Sequence, residues 1–130
     1  MWKAHKILCS VAALALSTQA ATAAPSEQFD LICKAKSEQQ RYRIDLAKGE
    51  WCIGECKMVQ KIAAVTTGML TLADHQPQFA RDARYYTRIN RVSGEWEWFY
   101  HRPGELSLQN VKGTCEPAPF SGTASGPVKF

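Results

Sequence analysis

Apolar side chains recur at every second position through most of this chain, a spacing that a strand can bury on one face and a helix cannot. Phe29, Leu31, Cys33 and Ala35 share one parity, and Tyr42, Ile44 and Leu46 alternate with Arg41, Arg43 and Asp45. Ser37-Glu38-Gln39 breaks these two runs into a hairpin with Asp45 facing outward. Lys48-Gly49-Glu50 turns the chain into Trp51. Lys61 to Thr66 and Met69 to Ala73 read as short strands around Gly68, with Val65, Leu70 and Leu72 in the core. Arg84 to Val92 is rich in β-formers, and Ser93-Gly94 turns it into Glu95 to His101, where Trp96, Trp98 and Tyr100 share a face. Arg102-Pro103-Gly104 is a further turn signal. The alternation from Glu105 to Val111 then sets Leu106 and Leu108 against that aromatic face. The expectation is an all-β antiparallel fold of about seven short strands, a small barrel or a two-layer sandwich braced by disulfides.

The first residues have a different grammar. A short basic start through Lys6, an apolar run from Ile7 to Leu16 and the small-x-small triplet Ala21-Thr22-Ala23 have the layout of a secretory signal peptide. Cleavage after Ala23 keeps Pro25 away from the cut. The apolar run is well short of the roughly 20 residues that cross a bilayer, so no membrane span is expected. Cutting 23 residues from 130 leaves 107, enough for one core. Residues 24–120 are read as the domain and 121–130 as a flexible tail, with Phe120 packed against the core. Pro117 and Pro119 each lack a ladder donor, which argues against a central strand from Glu116 to Phe120.

Removing Lys3 and Lys6 lowers the net charge from +4 to +2, too small for an electrostatic case for nucleic acid or anionic membrane. Cys9 leaves with the leader, and Cys33, Cys52, Cys56 and Cys115 remain. An even count in a small exported chain reads as two disulfides, for which three pairings exist. Cys33 lies in the first strand and Cys115 just after the last, so these two are expected to pair, leaving Cys52 with Cys56. Paired α-carbons are expected about 4.4–6.8 Å apart.

Cys52 and Cys56 admit two other readings: a redox pair, although that calls for Cys-x-x-Cys at a helix N-terminus, or a copper site with Met58 as a soft ligand. Oxidation is the default for exported thiols, which favours the structural bridge. His75 and His101 each sit beside a turn without a second histidine at ligand spacing, so no metal site is assigned to them. Arg84, Arg88, Arg91 and Arg102 are the candidate binding residues, because basic side chains interleaved with Tyr85, Tyr86, Trp96 and Trp98 can form a stacking platform. Asp82, Glu95 and Glu97 dilute that charge, and the competing reading makes the aromatics core and the arginines solvated.

Phe29-Asp30-Leu31-Ile32-Cys33, Tyr42-Arg43-Ile44-Asp45-Leu46, Trp51-Cys52, Ile89 to Gly94, and the run from Gly113 through Cys115 and Phe120 to Gly122 give this chain a resemblance to a group of small exported bacterial proteins. The resemblance implies an exported all-β domain with paired cysteines, and it brings no catalytic residues. The chain is also similar in size and export signal to inhibitors of C-type lysozyme, whose loop reads Ser-Gly-x-x-Tyr. Here Glu97 stands at the tyrosine position after Ser93-Gly94, and Ser125 after Ser121-Gly122.

These readings converge on a monomeric periplasmic or secreted domain that binds a protein or envelope component, with no catalytic residues, cofactor or nucleic acid. The alternatives are an inhibitor of an envelope-attacking hydrolase such as lysozyme, with Asp74 to Ala83 or Arg102 to Glu105 as the inserted loop, and a redox or copper-handling protein.

Overall fold

The computed structural model describes residues 26–122; residues 1–25, which include the expected signal peptide, and residues 123–130 of the expected tail lie outside them. Nine strands are described: β1 (Gln28–Lys34), β2 (Gln39–Asp45), β3 (Glu50–Ile53), β4 (Gln60–Lys61), β5 (Ala64–Val65), β6 (Met69–His75), β7 (Arg84–Asn90), β8 (Glu95–His101) and β9 (Gln109–Ala118). They form one antiparallel sheet in the order β4-β3-β2-β1-β9-β8-β7-β6-β5, curled into a half-barrel. The fold is therefore all-β and barrel-like, as one of the two sequence readings has it.

The expected strand from Lys61 to Thr66 is split because it serves both edges of the sheet. β4 pairs with β3, and β5 pairs with β6. Between them, the Ile62 amide donates to the Gly49 carbonyl at 2.9 Å and the Ala63 amide to Thr71 at 3.0 Å. One six-residue segment thus straps the two edges together and leaves neither as a long template for aggregation. Val65, expected in the core, is exposed on this strap.

The concave face carries the core. Tyr42, Ile44 and Trp51 from one wall meet Leu70, Leu72, Ile89 and Trp96 from the other. The Tyr42 ring lies 5.9 Å from Trp51 and 6.1 Å from Trp96, so β2 and β8, three strands apart in the sheet, touch across the interior. A β-bulge between Thr71 and Ala73 adds a residue to β6, and Leu72 is wholly buried there.

The last hairpin departs from the sequence expectation by one residue of parity. Trp98 pairs with Val111 and Trp96 with Gly113, so the inward positions of β9 are 111, 113 and 115. Leu106 and Leu108 have the other parity, precede the strand and are exposed. Trp96 is buried, whereas Trp98 and Tyr100 are only half-buried. Gly113 has a packing reason: a Cβ there would stand 2.1 Å from the Lys34 carbonyl oxygen, where the chain leaves the end of β1 beside β9.

β9 also runs further than expected, through Cys115 to Ala118, with Cys33 directly opposite Cys115. The Cys115 amide donates to the Gly94 carbonyl at 2.7 Å, so it points away from β1 and the cysteines form a non-hydrogen-bonded pair, the closer kind. Their α-carbons are 3.9 Å apart, nearer than the expected range. Pro117 opposes Leu31 at the next such position. Its missing N–H faces the side where β8 has not yet begun, so the proline costs no ladder bond. Disulfides join Cys33 to Cys115 and Cys52 to Cys56, which fits an oxidising, non-cytoplasmic setting. No described helix is long and apolar enough to cross a membrane.

The outer face holds an unexpected polar cluster. Asp30 and Asp45, both on the outward parity, are buried. Asp30 accepts from Arg41 Nε at 2.6 Å and from both the amide and the hydroxyl of Ser121. Arg43 Nη1 donates to the carbonyls of Ser121 and Gly122 at 3.3 and 3.0 Å. The start of the expected tail is therefore bound to the sheet, and Phe120 is half-buried. Burial pushes the Asp45 carboxyl up, but the Gln28 amide, the Lys48 N–H and ammonium, and the Ala47 N–H together hold it below its ordinary value.

Candidate functional site

Strand parity sorts the four candidate arginines. Arg84 and Arg88 flank Tyr86 on the outer face of β7, and Tyr86 stacks on Phe99 of β8 with centroids 5.0 Å apart and planes 10° from parallel. The Arg88 guanidinium lies 4.3 Å from the Tyr86 centroid, and that of Arg84 lies 5.8 Å from both rings. Arg88 also pairs with Asp74 at 3.2 Å, and the Tyr86 hydroxyl donates to Glu97 at 3.1 Å. Burial, with the Glu97 hydrogen bond and charge, raises the Tyr86 pKa against the pull of Arg88 and Arg84. Here the cations already have aromatic and carboxylate partners. Arg91 lies at the other end of β7, where Nη1 donates to the Thr66 carbonyl at 2.7 Å. Arg102 pairs with Glu105 at 3.6 Å within its turn. The structure brings two of the four together and separates the other two.

The cysteine and histidine candidates also resolve. Cys52 and Cys56 are bridged and buried, and Met58 is exposed in the loop beyond them, so the open, unbridged sulfurs of a redox or copper reading are not what the fold presents. His75 stacks on Tyr85 at 4.9 Å on the concave side, while His101 has the parity of the outer face. Among the described residues no group of three or more His, Cys, Asp and Glu is gathered as a metal ion requires.

Exposed apolar side chains concentrate at one end of the half-barrel. Strand directions place the β6–β7 loop, residues 76–83, and the β8–β9 loop, residues 102–108, on the same rim. Each loop is internally braced. Asp82 accepts from the amides of Gln78 and Phe79 at 3.1 and 2.9 Å, a closed turn that leaves Phe79 outside and 74% exposed. Pro103 and Gly104, the latter at φ +89°, form a turn closed by the Glu105 amide on the Arg102 carbonyl. Beyond it Leu106 is fully exposed and Leu108 more than half so.

Sequence reasoning named these loops as insertable elements but spent Leu106 and Leu108 on the core. The signal that distinguishes them is their position directly after a Pro-Gly turn, before pairing resumes at Gln109. No protein-family description matches this chain, and neither does any curated protein or solved structure.

Proposed function

We propose that this chain is an exported, non-catalytic binding domain, periplasmic or secreted, that engages a protein or envelope partner through its loop-bearing rim. The observation that carries the reading is the pair of braced loops presenting Phe79, Leu106 and Leu108 together at one end. A folded domain has no packing reason to expose them, and clustered exposed apolar groups mark interaction surfaces. Their turns are held by hydrogen bonds in the free protein, so binding costs little loop-ordering entropy.

The test is capture from an envelope extract by immobilised protein, comparing wild type with a Phe79→Ser, Leu106→Ser double variant and with Val92→Ser at the opposite end. A protein retained by wild type and Val92→Ser but lost by the double variant supports the reading. Identical capture by all three sinks it.

The full exposure of Leu106 beyond a rigid turn also favours the narrower reading of a hydrolase inhibitor, in which the 102–108 loop enters a cleft. Under that reading the protein slows C-type lysozyme acting on cell walls, and Leu106→Ser relieves the inhibition.

A further inference from the structure

The end opposite the loops opens into a groove of about 1160 Å³, between the start of β1, the β7–β8 turn and the segment Pro117–Phe120. Its floor is Leu31, Leu70 and Ile89, and Phe29 and Phe120 stand at its sides. The polar groups on its rim are mostly engaged elsewhere. Asn90 Oδ1 accepts from the amides of Val92 and Ser93 at 2.9 and 3.0 Å, and the Gln28 amide is donated to Asp45. The Ser93 hydroxyl donates to Glu95, which is not among the lining residues.

Arg91 differs from all of these. Among the described residues that line the groove it is the one charged side chain, and it makes no ion pair with a described carboxylate. Its guanidinium donates through Nη1 to the Thr66 carbonyl at 2.7 Å, an exposed contact that leaves the charge itself unneutralised. An apolar trough with a single positively charged residue in its lining is complementary to a molecule with one alkyl chain and one anionic head.

We infer that this groove is a binding site for a free long-chain carboxylate, its alkyl chain laid over Leu31, Leu70 and Ile89 and its carboxylate on Arg91. This surface lies away from the loop rim, so the inference stands apart from the proposed protein partner.

Displacement of dansylated undecanoate from the full-length protein, below the micelle concentration, reads it. Affinity should rise about four-fold per methylene from hexanoate to laurate. Dodecanol and dodecyltrimethylammonium should bind about ten-fold more weakly than laurate. Arg91→Gln should bring laurate down to the level of dodecanol, and Arg91→Lys should keep most of the difference, with the thermal transition of each variant checking its fold. Independence from chain length, equal affinity for laurate and dodecanol, or an Arg91→Gln variant that binds laurate like wild type overturns the assignment. So does binding to phosphatidylglycerol vesicles with none to laurate, which makes the groove a membrane contact instead.

Discussion

Asp30 and Ser121, 91 residues apart, are joined by two hydrogen bonds on the outer face of β1, the Asp30 carboxylate accepting from both the Ser121 amide and its hydroxyl. Asp30 is fully buried, while Arg41, its ionic partner, remains 43% exposed at its side chain. This pairing brings the end of the described chain back over the first strand, outside the barrel interior.

Truncating one partner of such a cluster leaves the others unsatisfied. Asp30→Ala is expected to cost about 3 kcal/mol or more, because Arg41 and the Ser121 amide both lose their acceptor. Ser121→Ala should cost about 1 kcal/mol. In urea unfolding the double variant should be less destabilised than the sum of the two, since the residues share one contact. Strict additivity would show that they act separately.

The parity of the last hairpin predicts an uneven tryptophan pair. Trp96→Ala should destabilise by about 3–5 kcal/mol, the usual cost of emptying a buried aromatic position. Trp98→Ala should cost clearly less, being half-buried against Val111. Leu106→Ser and Leu108→Ser should leave the melting temperature nearly unchanged. A large loss in either leucine variant would restore the register in which they pack under the aromatics.

Stability should fall at both ends of the pH scale, for different reasons. Burial pushes the Tyr42 phenol up to about 12, outweighing the opposing effect of the Trp96 indole beside it. The unfolded chain releases this proton near pH 10, so the contribution is complete below pH 10 and is lost as pH rises toward 12. The loss amounts to roughly 3 kcal/mol. Asp45 has the opposite sign: its lowered carboxyl stabilises above the unfolded carboxylate pKa and stops doing so as pH falls through the folded value. Tyr42→Phe should flatten the alkaline limb alone, and denaturant midpoints across the pH range check it.

The two disulfides should differ in what they contribute. Chain-entropy arithmetic assigns about 4.5 kcal/mol to the Cys33–Cys115 link, which spans 82 residues, and about 2 kcal/mol to Cys52–Cys56, which spans 4. Replacing Cys33 and Cys115 by Ala should lower the melting temperature much further than the same change at Cys52 and Cys56. The reverse order would make the small loop the main brace.

Gly113→Ala offers a check on the close approach of the end of β1 to β9. The added methyl meets backbone, not a movable side chain, so the variant should unfold well below wild type. Wild-type stability would mean that the two strands can separate there without loss.

What was legible in the sequence was local: the alternation of β1, β2, β7 and β8, the turns at Ser93-Gly94 and Pro103-Gly104, and the closely spaced pair Cys52 and Cys56. Each depends on neighbours within a few residues, and a period of two is readable at that range. Tertiary structure decided the rest. Whether Leu106 or Val111 faces inward depends on where β9 begins to pair, and a slip of one residue exchanges the two faces. Asp30 and Asp45 look like solvated outward positions until Ser121, Gln28 and the turn after β2 close over them. The strap through residues 60–65, the loop rim and the groove around Arg91 follow from the curl of the whole sheet. That curl is the sum of small twists between strands distant in sequence, and no short window of residues contains it.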